Sequence, residues 1–499
     1  MSNEMTKKGG KNLIFAAFSE IIILVLSFIV PKLFILHYGS EVNGLFSSAT
    51  QLIQYIAVFE AGIGSVMIKE LYGPLINKDA GAISLVYGTG KYYFKKIIPL
   101  YFIGVFSVSL VYCFFIDTAI SKLTVFLIVF LSGMSNVLVF MFVSYKSCVI
   151  QADGNYYFIA IINLVIKSLN YISQIVAIYL DAGIVTIKLV GLIVTLIQVV
   201  IYNQYFNRKY KFIDKNVDPQ LEMFSDRKYY MIHQIASLMF SCTDMVILSF
   251  VSGFISVSVY SMYNMVSNGI TMVLNIIINS FLFILGQSYQ KGKEVYCKVH
   301  DSFKMFYMII SYSMATTMNL LICQFMSFYV PNTDVSYEDS LLGLLFSVIC
   351  MINAGRLVDN NLASFAGYAK ETLSHVIIEL IINITFSIIL VNVLGIYGVL
   401  LGTIIAISVR SCLSFWFTEK RILERKLLNG YKYLIIDVLI FVAIISIFSY
   451  IDISICGWGD FIFYGILIFS SVLLAYLAVN FVFFKKEFKI IFEQFVSRK

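Results

Sequence analysis

The sequence predicts an all-α polytopic membrane protein of about 14 transmembrane helices, in two six-helix bundles with a V-shaped arrangement plus two C-terminal helices. Three observations predict it. The first is composition: the 499 residues are 60% hydrophobic and 13% charged, with a mean hydropathy of +0.87. Soluble domains carry about 25% charged residues, and a chain this apolar lacks the polar surface needed to cover soluble cores. The second is run length. Leu13–Leu36, Phe94–Ile116, Leu123–Ser144, Ile184–Ile201 and Tyr433–Ser449 are each near the roughly 20 residues that cross the hydrocarbon layer as a helix. They are apolar on all sides, whereas the strands of a membrane barrel alternate over about ten residues. The third is the alternation of charge between successive loops, which fixes orientation.

Taken in order, the expected spans are 13–36, 45–67, 94–116, 123–144, 156–180, 184–204, 229–251, 255–285, 304–329, 341–365, 372–392, 395–417, 433–451 and 461–484. The first is too long for a cleaved signal peptide, has no small-residue cleavage site after it, and is followed by further spans. One set of helix ends carries Lys7, Lys8, Lys11, Lys69, Lys78, Lys91, Lys95, Lys96, Lys146, Arg208, Lys209, Lys211, Lys215, Arg227 and Lys228. The same set continues through Lys291, Lys293, Lys298, Lys420, Arg421, Arg425 and Lys426 to a basic tail. The opposite ends carry only Lys32, Lys122 and Lys188, along with Asp117, Asp181, Asp334, Glu338, Asp339, Asp452 and Asp460. Basic loops stay in the cytoplasm, so both termini are expected there. The net charge of +7 therefore sits beside anionic lipid and does not argue for nucleic acid.

The longest basic linker, Tyr205 to Lys228, divides the spans. The expected organisation is an N-terminal bundle over 1–204, a linker over 205–228, a second bundle over 229–417, and two further helices with a tail over 418–499. Glycine turns recur in similar order in the two halves, at Gly154 and Gly183 in one and Gly367 and Gly395 in the other. Parallel repeats of this kind suit alternating access about a central site. The segments Leu71–Lys96 and Gln287–Lys304 are too polar to span and read either as interfacial amphipathic helices or as folded cytoplasmic loops.

Ionisable groups inside spans are costly and usually face a bundle interior or a wet cavity. Lys167 falls near the middle of the fifth span, and its neighbours three and four positions away are Asn163, Asn170 and Tyr171, none of them acidic. That face reads as the wall of an anion-accepting cavity, with interhelical pairing as the bland alternative. Arg356 and Asp359 lie three apart on the tenth span and can meet on one helix face. Arg410 of the twelfth span is placed where snorkelling also accounts for it. Lys167, Arg356, Arg410, Asn163 and Asn170 are the candidate cavity residues. Glu60, Asp359, Asp244 and Glu379 are candidates for ion coupling or for internal ion pairs. The cysteines show no paired spacing and the four histidines are scattered, so neither a metal centre nor a disulfide framework is indicated. No catalytic constellation and no Walker-type phosphate loop is present.

The passages Pro31–Phe46 (PKLFILHYGSEVNGLF), Gln51–Gly64 (QLIQYIAVFEAGIG) and Lys69–Leu75 (KELYGPL) resemble the polysaccharide flippases of the multidrug/oligosaccharidyl-lipid/polysaccharide exporter superfamily. Lys32 stands where that resemblance places a basic residue ending the first span, usually an arginine, which implies a role for Lys32 at the outward-facing substrate cavity. The resemblance implies export of an undecaprenyl-diphosphate-linked oligosaccharide across a bacterial inner membrane. It implies no cofactor, and coupling to Na+ or H+ in place of ATP hydrolysis. The partners it implies are the lipid-linked glycan, membrane lipids and polysaccharide-assembly proteins. The competing functions are a cation-coupled multidrug exporter of the same superfamily, a membrane glycan polymerase or glycosyltransferase, and an inert scaffold.

Overall fold

The computed structural model describes residues 3–56, 63–215, 217–224, 227–290, 292–331, 333–366, 368, 370–450 and 457–491. Everything regular among them is helical. In chain order the helices are α1 (Asn3–Tyr38), α2 (Ser40–Ile56), α3 (Ile63–Asn77), α4 (Ala80–Phe115), α5 (Lys122–Val139), α6 (Tyr145–Ala152), α7 (Tyr156–Tyr179) and α8 (Ile184–Lys209). After the linker come α9 (Arg227–Val251), α10 (Gly253–Gln290), α11 (Lys293–Tyr329), α12 (Ser340–Phe365), α13 (Leu373–Leu394), α14 (Ile396–Phe417), α15 (Leu428–Phe448), α16 (Trp458–Phe483) and α17 (Lys485–Ile491). A π-helical turn at Phe140–Ser144 joins α5 to α6 as one span, and another at Thr418–Ile422 continues α14.

Twelve helices among the described residues are long and apolar enough to cross a membrane. The chain is an all-α, multi-pass membrane protein. The expected second span, 45–67, falls on α2 and α3 and on residues 57–62, which lie outside the described residues together with Glu60. The expected eighth span lies within α10, whose 38 residues contain no Asp, Glu, Lys or Arg and rise about 57 Å at 1.5 Å each.

The chain divides into two compact units, Met1–Ser258 and Val259–Lys499. In the first, α1 lies along α7, α4 along α5, and α5 along α8, while α2 packs on both α5 and α9. Buried Leu45, Ile53, Val105, Ile128, Val129, Tyr202 and Phe206 belong to one continuous core. Val30 and Phe34 of α1 form a second cluster with Ala177 and Ile178 of α7.

The polar segment after α3 is neither a separate interfacial helix nor an open loop. Asp79 caps α4 by accepting from the Ala82 N–H at 3.0 Å, and from there the helix runs unbroken into the span. Ile83, Val86, Tyr87 and Phe94 on this extension are buried. The linker after α8 lies across it. The Asp214 N–H donates to Ser84 Oγ at 2.9 Å, the Gln220 N–H to Thr89 Oγ1 at 2.9 Å, and Lys91 Nζ to the Lys215 carbonyl at 3.1 Å. The second polar segment behaves similarly: α10 continues to Gln290 and α11 begins at Lys293, so both spans extend beyond their apolar stretches.

In the second unit α11 is central and packs against α12, α15, α16 and α17. Helices α13 and α14 form the tightest pair. Gly395, at φ 55°, supplies the left-handed turn between them. Gly398 and Gly402 then repeat at the spacing of a small-xxx-small contact, and a Cβ on Gly402 would lie 2.5 Å from Ser387 Oγ and 2.7 Å from the Ser387 backbone nitrogen.

Candidate functional site

Four helices of the first unit enclose a cavity of about 310 Å³. Helix α7 contributes Asn163, Ile166, Lys167, Asn170 and Gln174, which recur at three- and four-residue spacing and so share one face. Helix α8 contributes Ile187, Lys188, Gly191, Thr195 and Gln198 on the same principle. Helix α5 supplies Leu131, Ser132, Ser135, Asn136 and Val139, and α2 supplies Thr50 and Ile53. The lining therefore carries two ammonium groups, five carboxamides and four hydroxyls, with no carboxylate among the described residues.

The polar groups are held in two ways. Ser132 and Ser135 donate back to the carbonyls of Ile128 and Leu131 at 2.7 and 3.3 Å, which leaves their oxygen lone pairs to the cavity. The Gln174 amide donates to Asn170 Oδ1 within α7. Lys188 Nζ sits 4.3 Å from the centre of the Phe46 ring, so an aromatic face, and not a carboxylate, steadies it. Lys167 is exposed, and among the described residues it forms no ion pair. An ammonium lining a cavity without a local acid attracts an anion, and the surrounding amides and hydroxyls suit a hydroxylated one.

The arginines predicted for the cavity lie in the second unit. Glu379 of α13 is fully buried and is shared by two guanidinium groups: Arg356 of α12 takes one carboxylate oxygen and Arg410 of α14 takes the other. Arg356 Nη2 also donates to Asn353 Oδ1 at 2.6 Å. Two cations on one anion leave this cluster one net positive charge. The Arg356–Asp359 pair expected from their spacing does not form. Asp359 instead binds Lys304 of α11 at 2.6 Å and lies 3.4 Å from His300 Nε2. Both Glu379 and Asp359 are fully dry, and each is neutralised by a base from a neighbouring helix, so interhelical pairing outcompetes the one-turn contact.

A further network joins α11 to the loop after α14. Arg425 makes a fork on Asp301, with Nη1 and Nη2 each at 2.7 Å from a carboxylate oxygen, and its Nε reaches Glu419 at 2.5 Å. Lys293 pairs with exposed Glu424 at 2.6 Å, which holds that carboxyl below its ordinary range. Asp244 on α9 is buried one residue beyond Thr243, which accepts a hydrogen bond from Tyr55 at 3.0 Å. Lys32 is half-buried on α1 and is not among the cavity-lining residues. Neither an ion-binding cluster of three or more His, Cys, Asp or Glu side chains nor a disulfide occurs among the described residues.

No protein-family profile matches the chain, and no curated protein matches its sequence. Solved structures do. The structure described as lipid II flippase MurJ in an inward closed conformation is similar over 94% of this chain and 99% of its own, with a TM-score of 0.67 and 15% identity. The chain has the fold of the MOP-superfamily transporters. An inward-facing multidrug resistance MATE family transporter of that superfamily matches over 81% of this chain and 98% of its own, at TM-score 0.61 and 15% identity. A MOP superfamily transporter from Pyrococcus furiosus, described as having a binding pocket of reversed polarity, matches over 85% and 97%, at TM-score 0.61 and 13% identity.

Within this MOP fold, three of the sequence-predicted residues, Asn163, Lys167 and Asn170, meet in one cavity. Lys188, Asn136, Ser132 and Ser135 escaped the sequence reading. Their signal was present, since Ser132, Ser135 and Asn136 recur at helical spacing along an apolar run, as Lys188, Gly191 and Thr195 do on the next helix. Lys188 was counted as an outward-end base because it stands only four residues into its helix.

Proposed function

We propose that this MOP-fold chain is a flippase that carries an undecaprenyl-diphosphate-linked oligosaccharide from the cytoplasmic to the outer leaflet of a bacterial inner membrane by alternating access, with both termini cytoplasmic. The observation that carries this reading is the cavity that bears Lys167 and Lys188 among amides and hydroxyls, with no acid among its described lining residues. A diphosphate head needs positive counter-charge to leave water, and its sugars need hydrogen-bonding partners of both kinds, while the polyisoprenoid tail stays in lipid. A cationic drug would find no carboxylate among the described residues of this lining to compensate its charge. The likeness to a lipid II flippase fold supports the same class of cargo. In the second unit, the positive charge left over on Arg356, Glu379 and Arg410 gives phosphate oxygens a further point of attraction.

The test is translocation of a labelled lipid-linked glycan in reconstituted vesicles. Loss of one charge-assisted contact costs about 1.5–3 kcal/mol, so Lys167→Ala is expected to slow translocation by about tenfold or more, while Lys167→Arg retains most of it. Full activity in Lys167→Ala and in a Lys167→Ala/Lys188→Ala double variant would overturn the assignment of this cavity. Export of cationic dyes with no movement of lipid-linked glycan would overturn the function.

A further inference from the structure

Asp437 on α15 is fully buried, and neither its surroundings nor its partners resemble those of the other buried acids. Glu379 and Asp359 each meet a cationic side chain, whereas Asp437 accepts only the side-chain amide of Asn480 on α16, at 2.8 Å to Oδ1. Its second oxygen, Oδ2, has no hydrogen-bond partner, and neither has Asn480 Oδ1. On the same two helices, Ile440, Phe441, Ile468 and Val472 belong with Met308 of α11 to one buried apolar cluster.

Two of the donors nearby, the Asn480 amide and the Tyr476 hydroxyl, are already committed. Asn480 has two N–H bonds, and its nitrogen serves both Asp437 Oδ1 and the Tyr476 carbonyl, the latter at 3.0 Å. The Tyr476 hydroxyl lies 3.0 Å from Thr316 Oγ1 and 3.4 Å from the Asp437 carbonyl. The titratable groups that face Asp437 are Tyr312 from α11 and Tyr476 from α16; Cys350 from α12 belongs to the same cluster. The charged groups of adjoining α15 and α17, Lys432 and Glu487, are paired with each other at 2.7 Å, and Tyr433 donates to Glu487 at 3.0 Å. Rotating the Asn480 amide would turn its oxygen toward Asp437 Oδ1 and the Tyr476 carbonyl, depriving both of this donor. A bare carboxylate here would be a buried charge without a counter-ion, which costs several kcal/mol.

One proton on Asp437 Oδ2 removes the charge and supplies the missing donor, because an acid and an amide close a ring through O–H···O and N–H···O bonds. We propose that Asp437 is a proton-binding site: with α15 and α16 packed on α11, its carboxyl carries a proton taken from water and offers it to Asn480 Oδ1. The O–H bond at Oδ2 breaks only when water reaches the pair and accepts the proton, so occupancy of the site is tied to separation of α15 and α16. Proton binding and the packing of the last two long helices are then one equilibrium.

The experiment is infrared difference spectroscopy of the full chain in lipid, comparing wild type with Asp437→Asn near neutral pH. The expected result is a carbonyl band of a protonated carboxyl that disappears in Asp437→Asn, moves on exchange into D2O, and shifts in Asn480→Leu. Loss of carboxylate stretches alone would overturn the proposal, as would carboxylate bands that require sodium, which would make the occupant a metal cation. Thermal unfolding gives an independent readout. A site protonated in the folded state and ionised in the unfolded state loses its stabilising contribution as pH rises. The melting temperature of wild type is therefore expected to fall more steeply than that of Asp437→Asn between about pH 4 and about pH 7, and to run parallel to it above that. Curves parallel throughout would overturn it.

Discussion

Lys167 shows how a residue can be read from its helical neighbours. Asn163 and Asn170 stand one turn away on either side, no acid shares the face, and the same face opens on a cavity. Arg356 shows the opposite. Its nearest acid along the helix is Asp359, yet it binds Glu379, 23 positions away, a buried carboxylate that it shares with Arg410. Sequence spacing reports contacts within a helix; it says nothing about which neighbouring helix presents a charge. The Glu379 cluster is therefore expected to be structurally sensitive. Glu379→Gln leaves two buried guanidinium groups without their anion, a loss of about 3–5 kcal/mol in soluble proteins. A marked drop in the melting temperature of the detergent-purified variant checks it, and an unchanged melting temperature would mean that the arginines have water or another anion.

At the scale of elements, hydropathy located the spans but not the helices. Helix α4 begins at Ala80, while its apolar run begins at Phe94; the intervening turns carry Lys91 and three tyrosines, so hydropathy falls although the backbone ladder continues. Their buried positions face protein and not lipid, which composition averaged over a window does not resolve. The α13–α14 hairpin was legible only as a glycine turn. That Gly398 and Gly402 also bring two backbones together depends on Ser387, a residue of the facing helix. Gly402→Val should therefore force the pair apart, at a cost of about 1–3 kcal/mol or more for overpacking. Gly459→Val is the control, because a Cβ there meets nothing within 4 Å. Thermal unfolding of the two variants in parallel distinguishes a packing effect from a general intolerance of valine.

For the molecule as a whole, composition sufficed to identify an all-α multi-pass protein, since lipid is the one solvent that suits this share of apolar surface. The sides that the distribution of bases implies are open to a direct test. In a background free of the eight native cysteines, a single cysteine replacing exposed Lys211 is expected to react only after a membrane-permeant maleimide is supplied. One replacing exposed Asp181 is expected to react with an impermeant reagent added outside intact cells. Equal labelling of both by the impermeant reagent would reverse the topology argument. The whole-chain likeness to MOP-fold structures at 13–15% identity shows what a sequence alone conceals: the path of the helices persists after most side chains have changed.

The stretch that follows α8 was the obvious place to look for slack, being basic and rich in polar residues. Two of its backbone amides are instead fastened to hydroxyls on α4, and Tyr210, Ile213 and Phe224 are sunk into the unit beside them. A segment tethered at two points cannot serve as a swivel without first giving up those fastenings. It acts as a clasp that keeps the N-terminal end of α4 in register with the chain that leads to α9.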